Sequence, residues 1–386
     1  MFLDITLERN KQLMSTAIDL HQQGIITPNT YVLDLDSIEE NAAILAQEAK
    51  KENIELFFMT KQLARNELAA KAIVSGGIEK AVAVDPWEAL VLHQHGIKIG
   101  HVGHLVQIPK HMIKAILKLT PDYVTVFSFE KARQISDAAK ELNMKQKILL
   151  RIADHEDFIY EGQAGGFTIN TLRKEVSQIG ELPGIQISGL TSFPCLLIED
   201  YEAKATPNVY SMMKAKKILE EQGYTQIEMN MPSATSSATL KLLNEMGATQ
   251  GEPGHALTGT TPLHATKKLP EKPAMVYVSE VSHVYNQNAY TFGGGFYPRS
   301  RMQSALVGTD INNLKKVSVS ENDPSAIDYY GTLKTSEVSV GETALYAFRT
   351  QIFVTNSRVA LIKDLESNPK LMGIYDSSGN LLKGTY

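Results

Sequence analysis

Apolar and polar positions alternate along this chain in two textures. From residue 28 to about residue 268, short apolar runs are separated by longer stretches with helical spacing. Runs of strand character lie at 31–35, 54–60, 81–84, 98–102, 122–127, 147–153, 185–190, 226–230 and 248–251. Amphipathic stretches separate many of them, at 66–75, 86–95, 109–119, 130–142, 207–222 and 234–246, several with proline near the first turn. Asp36 or Ser37, followed three positions on by Glu39 or Glu40, predicts a helix start after the first run. Counted from residue 54, eight strands with intervening helices predict a parallel sheet. That number favours a closed (β/α)8 TIM barrel over an open doubly wound sheet. No Gly-x-Gly-x-x-Gly follows the first strand, which weakens a dinucleotide fold further.

After residue 270 the period changes. Segments 275–285, 336–340, 344–354 and 358–362 are β-branched and aromatic, separated by polar turns. They predict a C-terminal β-domain over residues 269–386, joined through Leu269-Pro-Glu-Lys-Pro. At the other end, Leu7, Leu13, Met14, Ala17, Ile18 and Leu20 form one helical stripe that stops at Gly24. The expected division is therefore a helix within 1–29 that packs with the β-domain, a barrel over 30–268, and the β-domain.

Composition narrows the function classes. The 386 residues carry 38 Lys and Arg against 43 Asp and Glu, so there is no basic footprint for nucleic acid or an anionic membrane. No apolar run approaches the roughly 18 residues that span a bilayer. Asp4, Glu8 and Asp19 interrupt the N-terminal stretch, which lacks the form of a secretory signal. One cysteine, Cys195, excludes an internal disulfide framework and a thiolate zinc cluster. The expectation is a soluble, cytoplasmic protein.

In a barrel the reactive groups sit at the C-terminal strand ends. The first strand runs into Lys61, either a partly desolvated nucleophile or a surface lysine opening the next loop. The fifth brings Arg151 or Ala153 inward by alternation. The seventh leads into Pro232-Ser-Ala-Thr-Ser-Ser-Ala, where Ser233, Thr235 and Ser236 form an anion cradle at a helix start or simply cap it. The eighth ends in Gly251-Glu-Pro-Gly-His, a tight turn in which Gly254 allows close approach of backbone to a ligand. His93, His95, His101, His104 and His111 cluster in sequence, but no helical face presents a metal-binding pair, so no metal is assigned. The Asp154-His-Glu-Asp157 run reads as a solvated acidic loop, with an amine site as the alternative, and Cys195 reads as an inert packed thiol.

Several of these segments, taken in order, resemble the alanine-racemase-like enzymes, the fold-type III family that uses pyridoxal 5'-phosphate (PLP). They are Pro28-Asn-Thr-Tyr-Val-Leu-Asp-Leu-Asp, Phe58-Met-Thr-Lys61, Val82-Ala-Val-Asp-Pro-Trp-Glu-Ala-Leu, Ile185-Gln-Ile-Ser-Gly-Leu-Thr-Ser-Phe and Gly251-Glu-Pro-Gly-His. The resemblance covers most of residues 28–262 and is strongest to the YhfX-like branch. It implies a Schiff base between PLP and Lys61, with Lys61 later serving as a base at the substrate α-carbon. It implies phosphate binding by Ser233, Thr235 and Ser236 with backbone at Gly254 and His255. Phe193 stands where relatives often stack a histidine on the cofactor ring, and Arg151 matches a basic residue near the phenolic oxygen. Glu252 replaces the arginine of alanine racemases and resembles the Glu-Pro-Gly of the barrel decarboxylases. A carboxylate there favours the protonated ring, the stronger electron sink. The implied activity is racemase-like chemistry at an amino-acid α-carbon, with a decarboxylase or other lyase, or a non-catalytic PLP carrier, as alternatives. Tyr290 and Tyr297 are candidates for the second base that a racemase takes from its partner subunit, or they pack the β-domain. Arg299 and Arg301 are candidates for the substrate carboxylate, and Tyr329 and Tyr330 for the cofactor phosphate. A homodimer with shared active sites follows from the same resemblance.

Overall fold

The computed structural model describes residues 2–297, 300, 302–321, 323, 325 and 327–382. The chain divides into two compact units, one of Leu45–Thr60 and Gly77–Gly254, the other of Met1–Ile44, Lys61–Gly76 and His255–Tyr386.

The first unit is a closed parallel barrel of eight strands. In chain order these are Glu55–Met59, Lys80–Ala83, Lys98–Val102, Tyr123–Val126, Gln146–Arg151, Ile185–Thr191, Glu228–Asn230 and Gln250–Gly251. The last pairs with the first, Gln250 opposite Glu55 and Gly251 opposite Leu56, which completes the ring. The strands are short and almost continuously buried, as parallel strands covered on both faces must be. Two of them carry an extra residue. Gly100 has no partner between the pairs Ala81–Ile99 and Val82–His101, and Ser188 has none between Ile148–Ile187 and Leu149–Gly189. A side chain at Gly100 would start 2.2 Å from the Phe57 ring, so only glycine fits the bulge.

Outer helices include Pro86–Gln94, capped by Asp85, and Phe129–Glu141, capped by Ser128. Ile169–Gly180 is a further helix that the pattern reading left unassigned, although Leu172, Val176 and Ile179 bury one stripe of it. The expected helix over 234–246 is only Leu240–Glu245. Its upstream residues form turns, with Ser233 and Ala234 at positive φ, so no helix N-terminus lies at Ser233.

The second unit is built on a nine-stranded sheet. Its main path runs Lys315–Ser318, Ser304–Gly308, Thr343–Tyr346, Met275–Tyr285, Thr30–Asp34, Arg358–Lys363 and Lys370–Asp376. Asn288–Phe292 extends it beside Met275–Tyr285, and Tyr330–Leu333 pairs in turn with Asn288–Phe292. Thr30–Asp34, expected to open the barrel region, instead lies between Met275–Tyr285, antiparallel, and Arg358–Lys363, parallel. All five of its residues are buried, which suits a central strand of this sheet as well as a barrel strand. Two helices, Phe2–Arg9 and Lys11–Gln22, replace the single one expected. Their Leu3, Leu13, Met14, Ala17 and Ile18 pack on Val32, Val276, Leu345 and Ala360 of the sheet. The cap of the following helix, Leu35–Lys51, is Asp34 rather than Asp36 or Ser37. Its Oδ1 accepts from the amides of Asp36 (3.1 Å) and Ser37 (3.2 Å), and Asn10 Nδ2 donates to its Oδ2 at 2.9 Å.

Candidate active site

The barrel unit holds a charged network in its interior. Glu252 follows the eighth strand directly, and its side chain is fully buried. Its Oε1 accepts from His101 Nδ1 at 2.7 Å and from Asn230 Nδ2 at 3.0 Å. Each donor sits on a different strand. His101 Nε2 meets Thr125 Oγ1 at 2.6 Å, and Asn230 Oδ1 accepts from Thr191 Oγ1 at 2.7 Å. The other carboxylate oxygen, Oε2, has no hydrogen-bond partner, and His104 Nε2 stands 3.8 Å from it. Burial pushes the Glu252 carboxyl up. The charge of His104, with the hydrogen bonds from His101 and the Asn230 amide, outweighs burial and leaves it below the ordinary glutamate value. The result is a buried carboxylate held through one oxygen, with the second available to a cationic or protonated group.

Arg151 ends the fifth strand and is buried despite its charge. It lies 4.7 Å over the Phe127 ring and donates from Nη1 to the His104 carbonyl (3.3 Å) and from Nη2 to the Gln163 carbonyl (2.9 Å). Burial lowers its pKa to about 10. Phe193, after the sixth strand, takes the His104 ring edge-on at 5.5 Å and touches Tyr160 at 5.7 Å. Near the seventh strand, Ser233 Oγ donates to the Leu196 carbonyl (2.6 Å), Thr235 Oγ1 accepts from the Glu252 amide (3.2 Å), and the Ser236 amide donates to Thr239 Oγ1 (2.9 Å). These three residues thus form a loop tied to both the Glu252 segment and Leu196, in place of the expected helix start.

Glu88, which the sequence reading did not single out, is fully buried and fixes two strand ends. It accepts from the hydroxyl of Thr60, the residue before Lys61, and from the Val84 amide at 2.5 Å. A glutamate at the third position of a proline-started helix is a common capping residue, so nothing in the pattern marked it.

In the other unit, Lys61 opens a short 3-10 turn, Lys61–Leu63, followed by Ala64 and Arg65 at positive φ. His255 lies in the same unit. Burial first, and then the positive charges of Arg349, Lys61 and His264, push its pKa well below the histidine range. Lys61 and Arg349 therefore concentrate positive charge near a His255 held neutral, within one unit. Arg349, in the run Tyr346-Ala-Phe-Arg-Thr, gave no signal beyond a cation in an apolar segment.

Residues 33–262 match the family described as alanine racemase, N-terminal domain, and residues 276–371 match YhfX-like, C-terminal domain. Across 99% of this chain and all of the relative, the sequence is 41% identical to a protein of Escherichia coli (strain K12) described as uncharacterized protein YhfX. The chain belongs to the alanine-racemase-like family, in its YhfX-like branch. Solved structures agree at the level of fold. Alanine racemase of Clostridium difficile 630, in complex with cycloserine, is 17% identical with a TM-score of 0.66, over 91% of this chain and 99% of its own. D-threonine aldolase from Filomicrobium marinum is 15% identical with a TM-score of 0.67, over 92% and 95%.

The remaining expectations for this YhfX-like chain fall as follows. Tyr290 stacks on His283, rings 4.6 Å apart and 6° from parallel, and Tyr330 meets the same imidazole edge-on. Tyr297 is half-buried, its carbonyl accepting from the Ser300 amide, and Tyr329 is exposed. Arg299 and Arg301 lie outside the described residues. Of the five clustered histidines, His101 and His104 join Glu252, while His93 and His111 are exposed. Among the described residues no set of three or more His, Cys, Asp or Glu side chains is grouped to hold a metal. The acidic loop is organised rather than merely solvated, because Asp157 accepts from the Asp154 amide (2.8 Å) and Ser211 (2.6 Å). Cys195 is buried, with its thiol pKa raised by burial. Among the described residues no helix is long and apolar enough to cross a membrane.

Proposed function

We propose that this chain is a PLP-dependent enzyme acting at the α-carbon of an amino acid, racemase-like, in the cytoplasm. The observation that carries the reading is Glu252, a buried anion with one oxygen accepting two hydrogen bonds and the other accepting none, His104 Nε2 standing 3.8 Å from it. That donor set fits the protonated ring nitrogen of PLP better than it fits any neutral group, since a buried lone carboxylate oxygen is costly without a partner. When bound, PLP supplies the electron sink for charge that develops at the α-carbon.

The chain's own residues divide the work. Lys61 is the covalent attachment point and the group that moves the α-proton. Glu252 holds the proton on the ring nitrogen. Arg151 would hold the phenolic oxygen, and Phe193 would pack on the ring. Ser233, Thr235 and Ser236, with backbone at Gly254 and His255, take the phosphate. Tyr290 or Tyr297 of a partner subunit in a homodimer returns a proton to the opposite face, and Arg299 or Arg301 receives the substrate carboxylate. A second reading, lyase chemistry, draws support from Glu252 itself, because a ring kept protonated suits elimination and aldol cleavage as well as proton exchange.

The test is direct. Protein incubated with PLP should gain a visible band that borohydride bleaches, with the added mass on the Lys61 peptide and none in Lys61→Ala. Adduct elsewhere, or none, overturns the assignment. Deuterium uptake at the α-carbon across L- and D-amino acids, read beside release of carbon dioxide and keto acid, separates the two readings. Exchange without fragmentation supports the racemase.

A further inference from the structure

The Glu252 network contains a directional device that the cofactor reading does not require. An ionised carboxylate only accepts hydrogen bonds, so the 2.7 Å contact to Oε1 needs a proton on His101 Nδ1. In the neutral ring Nε2 is then an acceptor, and Thr125 Oγ1, 2.6 Å away, has a hydroxyl proton to give. The acceptor-only carboxylate thus selects the tautomer of the imidazole, and the Thr125 hydroxyl, able to donate or accept, completes it as donor. Both side chains are almost completely buried, so water does not compete for either nitrogen.

The aim of His101 comes from the backbone. With Gly100 extruded as an unpaired residue, the strand gains one position against its neighbour between Ile99 and His101. Bulges re-aim the side chains that follow them. The Phe57 ring fills the space beside Gly100 and lies 6.4 Å from the His101 ring, closing the histidine off on that side.

We propose that His101 is a positioning residue: held as the Nδ1-protonated tautomer between the Glu252 carboxylate and the Thr125 hydroxyl and aimed by the Gly100 bulge, it holds Glu252 by Oε1 so that Oε2 is the atom offered to the cofactor ring nitrogen. The proposal rests on the PLP reading for its last clause only. Asn230 supplies the second donor to the same oxygen, so both fixed contacts converge on Oε1 and neither competes for Oε2.

The experiment uses the full-length chain before any cofactor is added. Histidine ring nitrogens are observed by NMR, with His101→Gln identifying the signal, and the Glu252 carboxyl carbon is titrated in parallel. Wild type should show His101 neutral and protonated at Nδ1, and Thr125→Val should keep that proton, because the carboxylate fixes it. His101→Phe should raise the proton affinity of Glu252 about tenfold or more. His101→Gln, which keeps an N–H donor, should recover most of that change. A His101 protonated only at Nε2, or a Glu252 midpoint equal in wild type and His101→Phe, overturns the inference. If His101→Phe does not fold, the wild-type tautomer and the Thr125→Val spectrum still decide. PLP is then added to wild type and His101→Gln. Failure of wild type to take up PLP defeats the cofactor reading, while the tautomer result stands or falls independently.

Discussion

The sheet unit buries Tyr31, Tyr277 and Tyr346 beside Phe296 and Phe348, and each phenol is given a neutral partner. Tyr31 donates to the Gly295 carbonyl and lies 2.9 Å from Thr350 Oγ1, Tyr277 donates to Asn29 Oδ1 at 2.9 Å, and Tyr346 pairs with Thr291 at 2.8 Å. The barrel unit buries Glu252, His101, His104 and Arg151 and leaves one carboxylate oxygen open. A neutral hydroxyl with a partner contributes modestly to stability and commits the site to nothing else. A buried charge costs desolvation that a fold recovers only with excellent partners, so an incomplete set of partners is weak as a source of stability and informative about chemistry. The tyrosine cluster is a scaffold. The Glu252 network keeps one acceptor without a hydrogen bond.

Four outcomes would break or sharpen that contrast. The largest effect belongs to Glu252→Gln, which should lower turnover about 10²- to 10³-fold, in line with loss of one preorganised electrostatic contact. Its melting temperature should change little, measured by calorimetry on the same sample. Next, Gly100→Ala places a methyl against Phe57 and should cost about 2 kcal/mol in denaturant unfolding, with PLP uptake lost as His101 turns away. Tyr346→Phe is the converse case. It should cost about 1 kcal/mol by leaving Thr291 without its partner, while PLP affinity and turnover stay at wild-type values. A loss of PLP uptake in that variant would abolish the distinction.

The smallest effect is a difference in pH response. Because the folded Glu252 carboxyl lies below its ordinary 4.5, the barrel's share of stability is complete above that pH and is lost as pH falls further. The phenols of Tyr31, Tyr277 and Tyr346 are raised above their ordinary 10, chiefly by burial. Through these phenols the sheet unit should weaken as pH rises through the tyrosine range, while the neutral His255 of the same unit makes it weaken also as pH falls below the ordinary 6.5. Hydrogen exchange resolved by unit would read both trends, and identical profiles would contradict them.

Much of the barrel was legible because parallel strands buried on both faces leave unbroken apolar runs. Lys98–Val102 has its expected bounds, and Glu55–Met59 and Tyr123–Val126 lie within theirs. The same property made Thr30–Asp34 ambiguous, since a central strand of the large sheet is equally apolar. Arg151 and the segment holding Glu252 were singled out by their place at strand ends, and Phe193 and the role of Glu252 by the family resemblance. Arg151 and Phe193 both contact His104, beside Glu252. His101 was visible only as one of five histidines, because its direction depends on a bulge that side-chain alternation cannot anticipate. The loop holding Ser233, Thr235 and Ser236 is less regular than its apolar spacing predicts. Ser233 and Ala234 adopt positive φ, and helical spacing of the apolar residues after them concealed that break.

The strand Thr30–Asp34 has a consequence for how the chain is made. Its neighbours in the sheet are Val278 and Arg358, opposite Thr30, so a segment synthesised early must wait for partners that emerge late. Pairing across such separations slows folding and leaves strand edges exposed in the interval. A fragment cut to residues 30–268 would carry the sheet's central strand with both edges bare. A fragment beginning at residue 269 would lack the strand its two halves share. Cutting the chain at the linker therefore divides the sheet, and the two units are better separated by unfolding than by truncation.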